Sequence, residues 1–145
     1  MKTNNVNLVQ LLSKGQYDEV LEAIAHHYCS SIPEGRILEM RGLAHYGLVD
    51  IPSSIRDIET ANTLVPLSLV AQISLASCYL QQKFPLSAEA IYTHLMAQPA
   101  TFESMTICTG VAEGLTRLDL APEALGVGRR GLLRFPNSHR LNFLC

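Results

Sequence analysis

Apolar residues recur every three or four positions in several segments, the spacing that places them on one face of an α-helix. Three such segments are Val20, Leu21, Ile24 and Tyr28, then Ile55, Ile58 and Ala61, then Ala88, Ile91 and Leu95. Each pattern predicts an amphipathic helix with one buried face. An apolar residue precedes each of these three helices, at Tyr17, Ile51 and Phe84, and Ala121 is at the same place before a fourth predicted helix. Each is expected to pack the turn against the preceding helix.

The seven prolines divide the chain at regular intervals. One series lies at positions 33, 66, 99 and 136, with intervals of 33, 33 and 37 residues. The other lies at positions 52, 85 and 122, with intervals of 33 and 37 residues. Because proline is tolerated in the first turn of a helix and beyond its end, each proline predicts a helix boundary. The predicted unit is a helix, a turn and a second helix.

Four such units are predicted, over about residues 1–33, 34–66, 67–99 and 100–136, followed by a partial capping helix over 137–145. The fourth unit has a few extra residues near Ala100 to Glu103. Ser138 is the expected N-cap of the last helix. The tail is apolar, so we expect the natural chain either to continue or to bury this end against another copy in a homodimer. Each glycine inside the last long helix lowers helix stability by about 1 kcal/mol. We therefore expect the fourth unit to be the least stable.

Three segments resemble the tetratricopeptide repeat (TPR) family, whose unit is about 34 residues. Lys14-Gly15-Gln16-Tyr17-Asp18-Glu19-Val20-Leu21 is similar to the family's turn, and Gly42-Leu43-Ala44-His45-Tyr46 to its first helix. Ala76-Ser77-Cys78-Tyr79 is a looser version, and the first proline series corresponds to the unit-ending proline. The family's bulky first-helix aromatic is missing. The resemblance implies an all-α fold, a right-handed α-solenoid of about four TPR-like repeats in one domain over 1–145.

The family's ligands are generally peptides or protein segments held on a concave surface lined by the first helices. The resemblance therefore implies a non-catalytic interaction module or scaffold that binds a peptide or helix. The implied protein-binding residues are Arg36, Glu39, Tyr46, Gln72, Tyr79, Thr109 and Glu113. Tyr46 and Tyr79 are at equivalent places, where they either anchor a ligand or pack between helices. The alternatives are a TPR-type secretion or assembly chaperone and the regulatory region of a larger enzyme.

One subgroup of the family holds the C-terminal carboxylate of chaperone tails with a clamp of basic and amide side chains. At the clamp positions this chain has Asn5, Val9, Met40, Leu69 and Ile73. The clamp is therefore missing. A mostly uncharged groove favours an amphipathic helix or an extended apolar segment as the ligand.

Composition narrows the class of partner and the compartment. The net charge is -2 with only 11 lysines and arginines, too few for a clustered footprint on nucleic acid. The most apolar stretch, 64–80, is interrupted by proline and polar residues, so membrane insertion is not expected. The first residues include asparagines where a secretory signal needs its apolar core. We expect a cytoplasmic protein with free, mostly buried thiols at Cys29, Cys78, Cys108 and Cys145.

No motif supports catalysis, a cofactor or a metal. The dinucleotide-binding pattern G-x-G-x-x-G is matched by Gly126-Val127-Gly128-Arg129-Arg130-Gly131. However, no predicted strand precedes this segment and no acidic residue follows it, as such a site requires. Gly128 and Gly131 are expected instead to let helices approach closely. Glu22 and His26 lack further ligands at helix spacing, His27 points away from His26, and His45 is isolated. We therefore expect a protein that is not an enzyme.

The C-terminal unit is locally basic. Glu123 is the last acidic residue of the sequence. It is followed by four arginines, at Arg129, Arg130, Arg134 and Arg140. These arginines either attract an acidic partner or complement the negative end of a helix dipole. We favour the second interpretation, and the first stays open.

Overall fold

The computed structural model describes residues 7–26 and 31–144, and within them the chain is all-helical with no strand. This confirms the predicted all-α class. A short 3-10 helix, Pro99–Glu103, precedes the seventh of nine α-helices. The α-helices of the described residues are α1 Leu8–Ser13, α2 Tyr17–Ala25, α3 Glu34–Gly47, α4 Ile51–Leu64, α5 Leu69–Gln81, α6 Pro85–Met96, α7 Met105–Arg117, α8 Ala121–Arg134 and α9 His139–Leu144.

The chain divides into two compact units, Met1–Cys78 and Tyr79–Cys145, with the boundary inside α5. In both units the helices pack as neighbouring pairs. In the first unit α3 packs against α1, α2 and α4. In the second unit α7 packs against α6, α8, α9 and the 3-10 helix.

The same turn follows α1, α3, α5 and α7. Gly15, Val49, Lys83 and Asp119 all have left-handed backbone angles, with φ of 73°, 62°, 64° and 60°. The residue after each donates its N–H to the carbonyl five residues earlier, at 2.8 to 2.9 Å. This bond is the signature of a Schellman motif, which ends a helix and reverses the chain. The left-handed positions are 34, 34 and 36 residues apart, so the turn recurs with nearly the predicted period.

Every proline lies at a helix boundary, as predicted. Pro52, Pro85 and Pro122 are in the first turns of α4, α6 and α8. Pro33 is the N-cap residue of α3, and Pro99 begins the 3-10 helix. The last two, at positions 66 and 136, come just after α4 and α8. The missing N–H of proline thus costs no internal helix bond.

The first unit contains an apolar cluster formed by Leu8, Val20, Ala23 and Ala44, all nearly inaccessible to solvent. Gly42 brings α3 close to α4, because a Cβ there would lie 2.5 Å from Cγ1 of Ile58. Larger side chains would push the hairpin apart.

In the second unit, two glycines likewise allow a neighbouring helix to come close. The ring of Tyr92 on α6 fills the space where a Cβ of Gly114 would be, and Tyr92 is buried. Gly131 of α8 likewise faces Sγ of Cys108 and the side chain of Leu141. The expected close helix approach is therefore confirmed at Gly131.

One of the apolar residues predicted to pack the turns does not fit that expectation. Tyr17 lies over Gly47, and Ile51 is buried. Phe84 is 56% exposed but packs edge-to-face on Tyr79 of the preceding helix, whereas Ala121 is exposed. The turn after α7 is held by its backbone hydrogen bonds instead, which require no buried side chain.

The extra residues of the fourth predicted unit form the 3-10 helix. Its Thr101 hydroxyl donates to the carbonyl of Leu95 at 2.6 Å. At the end of the described chain, Ser138 caps α9 as predicted, accepting from Leu141 N–H at 3.3 Å. Leu141 is buried in the same unit, whereas Phe143 is 91% exposed. The apolar tail is thus only partly covered by its own unit.

Candidate protein-binding surfaces

Arg36 and Glu39, two of the predicted binding residues, form an ion pair on α3. Their nearest charged atoms are 2.9 Å apart. Glu39 is only 5% exposed, and its other oxygen accepts the backbone N–H of Ser68 at 2.7 Å, just before α5 begins. Both oxygens are therefore used inside the unit. Glu39 joins α3 to the start of α5, whereas the side chain of Arg36 remains partly exposed.

Tyr46 and Gln72, the other predicted residues of the first unit, are partly exposed. The Tyr46 hydroxyl donates to Oγ of Ser77 at 3.0 Å. The Gln72 amide donates to the carbonyl of Leu67 at 3.0 Å. Both side chains are thus oriented by α5 or by the segment before it. Preoriented side chains lose less entropy when they bind a ligand.

The predicted residues of the second unit are less alike. Tyr79 packs edge-to-face on Phe84, with ring centroids 6.4 Å apart and planes at 87°. Thr109 is 4% exposed, so a ligand cannot reach it directly. Glu113 is partly exposed and forms an ion pair with Arg140 of α9. Tyr79 and Glu113 are the accessible members of this set.

A cavity of about 850 Å³ lies on the opposite side of α3 from Arg36 and Tyr46. Ile37, Arg41 and His45 are four residues apart and share the face of α3 that lines the cavity. The sequence spacing of Arg36 and Tyr46 places them on another face of the helix. Six of its ten lining residues are apolar, and the other four are acidic, basic or histidine side chains. The lining residues are Leu21, Ile24, Ala25, Ile32, Glu34, Ile37, Leu38, Arg41, His45 and Arg56.

A group of charged side chains lies beside this cavity. Asp57 of α4 is 1% exposed and accepts two hydrogen bonds from Arg41, at 2.7 and 2.9 Å. His45 lies 3.6 Å from Asp57 and 3.7 Å from Asp50, so it is not isolated as the sequence suggested. The fold brings these residues together across the hairpin. Arg41 and Asp57 are each eight residues from the turn residue Val49, and that symmetry is the signal that sequence reasoning missed.

Hydrogen bonding shifts the pKa of two members of this group further from neutral pH. The bond to Asp57 raises the pKa of Arg41 above its usual value, against the opposing effect of burial. The bonds from Ser53 lower the pKa of Asp50, which caps α4. Both groups are therefore charged at neutral pH. Arg41 ties α3 to α4, and Asp50 caps α4. Neither group is poised for proton transfer near neutral pH.

The other sequence motifs have structural positions. The glycine-rich hexapeptide 126–131 lies inside α8 rather than at a strand-to-helix turn, so it cannot cradle a pyrophosphate in the usual way. Among the described residues, no three histidine, cysteine or acidic side chains are placed to hold a metal ion.

Cys78 and Cys108 are buried thiols that form no disulfide, as predicted, and burial raises the pKa of the Cys78 thiol. Asn5, His27, Tyr28, Cys29 and Cys145 lie outside the described residues.

Comparison with known proteins does not assign the chain to a family. No protein-family model matches it, and neither a curated protein nor a solved structure is significantly similar. No described helix has the length and apolar character needed to cross a lipid bilayer.

Proposed function

We propose that this protein is a non-catalytic interaction module of the tetratricopeptide repeat type, which binds a peptide or helix through side chains of its first helices. The observation that carries the proposal is the recurrence of one turn. The left-handed residues Gly15, Val49, Lys83 and Asp119 are 34, 34 and 36 residues apart, close to the period of that family. Stacked helical hairpins of this kind typically serve as binding scaffolds.

The accessible side chains of the first helices suit a protein ligand. In the first unit Arg36, Tyr46 and Gln72 offer a cation, an aromatic ring with a hydroxyl and an amide. Arginine and tyrosine are enriched among residues that dominate binding energy at protein interfaces. The second unit offers Tyr79 and Glu113 in the corresponding helices. This mixture favours a peptide with both apolar and polar side chains.

Affinity capture from the native cell tests the proposal. The bait is the full chain, compared with a Tyr46→Ala, Gln72→Ala double variant and with a Tyr79→Ala variant. We expect each variant to recover the main partners about tenfold less well, the effect of losing about 1.4 kcal/mol of binding energy. Mass spectrometry of the captured proteins measures the recovery.

Asn62→Ala is the matched control, because Asn62 is an exposed polar residue on the second helix α4. It should capture the same partners as the wild type. Circular dichroism checks that every bait folds, and Tyr46→Phe keeps the ring if Tyr46→Ala does not fold. Unchanged partner recovery by all of the folded variants would show that the first helices are not the binding surface.

A further inference from the structure

Helix α8 exposes a continuous stripe of residues from Gly126 to its C-terminal end at Arg134. Its buried side is formed by Ala124, Val127, Gly128 and Gly131. The exposed stripe passes through Gly126, Arg129, Arg130, Leu133 and Arg134. Leu133 is 88% exposed, among the most exposed large apolar residues of the described chain. The stripe therefore combines three cations with one apolar side chain.

The helix dipole explains only one of these arginines. Helix α8 ends at Arg134, and that residue lies in its last turn. Arg129 and Arg130 are five and four residues before the end, where the dipole effect has largely faded. The preference of helix ends for cations, favoured on the sequence alone, thus does not account for the cluster.

The three arginines have no acidic partner among the described residues. The ion pairs there involve other cations, such as Arg140 with Glu113. Arg130 instead stacks on the ring of Phe102, with its guanidinium carbon 3.9 Å from the ring centroid. Stacking fixes the plane of the guanidinium while its N–H donors remain able to bind a carboxylate. Arg130 is thus a preoriented anion-binding group.

Gly126 is one turn before this cluster, and no packing requirement within the described chain explains it. A Cβ at this position would meet nothing within 4 Å, unlike a Cβ at Gly114 or Gly131. A glycine in the middle of a helix weakens it relative to alanine. Such a glycine is useful where another backbone must come close to the helix surface.

We propose that this α8 stripe is a docking surface for an acidic amphipathic helix of another protein. Carboxylates of the partner helix pair with Arg129, Arg130 and Arg134. An apolar side chain of the partner covers Leu133, and its backbone crosses α8 at Gly126. The surface lies on the second helix of its hairpin, so it is separate from the first-helix residues of the proposed function and does not depend on them.

Charge and apolar exposure together favour an acidic protein segment over other anionic partners. Nucleic acid binding needs a large cationic footprint, whereas the whole chain has a net charge of -2. A membrane-surface helix needs a broad apolar face, and on α8 the exposed large apolar side chain is Leu133. Arginine and carboxylate groups form strong, often bidentate hydrogen bonds, so carboxylates of a protein segment suit these arginines.

A synthetic helix provides a direct probe. The peptide has about five helical turns, glutamates along one side and leucines beside them, and carries a fluorescein label. We expect binding to the full chain with a Kd below about 100 µM in low salt, by fluorescence anisotropy. Binding should weaken at least about threefold when NaCl rises from about 50 to about 200 mM, because the ion pairs are exposed. The same peptide with glutamine in place of glutamate should not bind.

Variants locate the site. An Arg129→Glu, Arg134→Glu double variant should bind the peptide at least about tenfold more weakly. A Lys83→Glu, Arg117→Glu double variant, with the same charge change at exposed positions of the same unit, should retain most of the affinity. Gly126→Ala should raise the melting temperature yet weaken peptide binding, because the new methyl group stabilises the helix and blocks the partner. A purely structural glycine could not give these opposite effects.

Three outcomes would overturn the proposal. One is no peptide binding up to about 1 mM in low salt. Another is equal loss of binding in the two double variants, which would indicate net charge rather than this surface. The third is stronger binding to a DNA duplex or to phosphatidylserine vesicles than to the peptide, with the same arginine dependence. That result would assign the surface to nucleic acid or membrane instead.

Discussion

Val49 adopts a backbone conformation that valine rarely takes. Its φ is 62°, in the left-handed region where a β-branched side chain crowds the backbone. The equivalent position in the first turn is Gly15, which tolerates this conformation without strain. The Schellman bonds are nevertheless formed in both turns. The turn geometry is thus imposed on Val49 by the packed hairpin around it.

Replacing Val49 by glycine should stabilise the protein by about 0.5–1 kcal/mol. The gain is the relief of left-handed strain, about 1–2 kcal/mol, less the greater backbone freedom of glycine in the unfolded chain. Val49 is 71% exposed, so little packing is lost. Urea unfolding followed by circular dichroism measures the change. The reverse replacement, Gly15→Val, should destabilise; a loss of stability in Val49→Gly would contradict the argument.

The hairpin of α3 and α4 is held by polar contacts as well as by apolar packing. Ser54 donates to the carbonyl of Gly42 at 2.8 Å in the buried interface between the two helices. Arg41 and Asp57 add a two-bond ion pair between the same helices. A buried carboxylate is costly without a partner, so Asp57 requires α3 to pack in this register.

Removing Arg41 should therefore be far more costly than removing a surface arginine. We expect Arg41→Ala to destabilise the protein by about 2–3 kcal/mol, since the buried carboxylate of Asp57 loses both hydrogen bonds and Arg41 itself is partly exposed. Arg56→Ala is the control, because Arg56 is 65% exposed and 3.5 Å from the same carboxylate. It should cost at most about 0.5 kcal/mol. Equal losses in urea unfolding would refute the structural role of Arg41.

At the scale of the whole molecule, the described residues of each compact unit include one buried cysteine that forms no disulfide. Cys78 lies in the first unit, where its thiol is 3.7 Å from the Ser54 hydroxyl. Cys108 lies in the second unit against Gly131. Both are fully inaccessible to solvent. A thiol reagent can therefore reach each of them only when its own unit opens.

With Cys29 and Cys145 replaced by serine, we expect the native protein to react with iodoacetamide at least about a hundredfold more slowly than in denaturant. For Cys78 the raised pKa adds to this protection, since less thiolate is present at neutral pH and the thiolate reacts. Mass spectrometry of the labelled peptides gives the labelling rate of Cys78 and of Cys108 separately, and so the opening of each unit. Rapid native labelling of either cysteine would mean that its unit is open in solution.

Much of the local structure could be predicted from the sequence. The prolines marked the helix boundaries because a missing N–H is tolerated there, and Ser138 was recognised as a cap because its hydroxyl suits a helix start. The burial of Ile58, Ala88 and Leu95 followed from helical spacing. These features depend on residues within one or two helical turns of each other.

The candidate sites were harder to predict. The sequence suggested that Glu39 faces a ligand, whereas it is buried and bonded to the backbone of Ser68. It also left His45 isolated, although Asp57 lies 3.6 Å away. Both contacts join different helices. Helical spacing predicts which face a residue shares, but not which other element covers that face.

The order and class of the helices, the proline boundaries and the repeated hairpins were determined by the sequence itself, because backbone geometry and local spacing decide them. Only the tertiary structure decided which polar groups became buried partners, which face of α3 borders a cavity, and that Arg130 rests on Phe102 while Gly126 faces open space. The physical reason is that burial and pairing depend on residues that are distant in sequence and meet only when the helices pack.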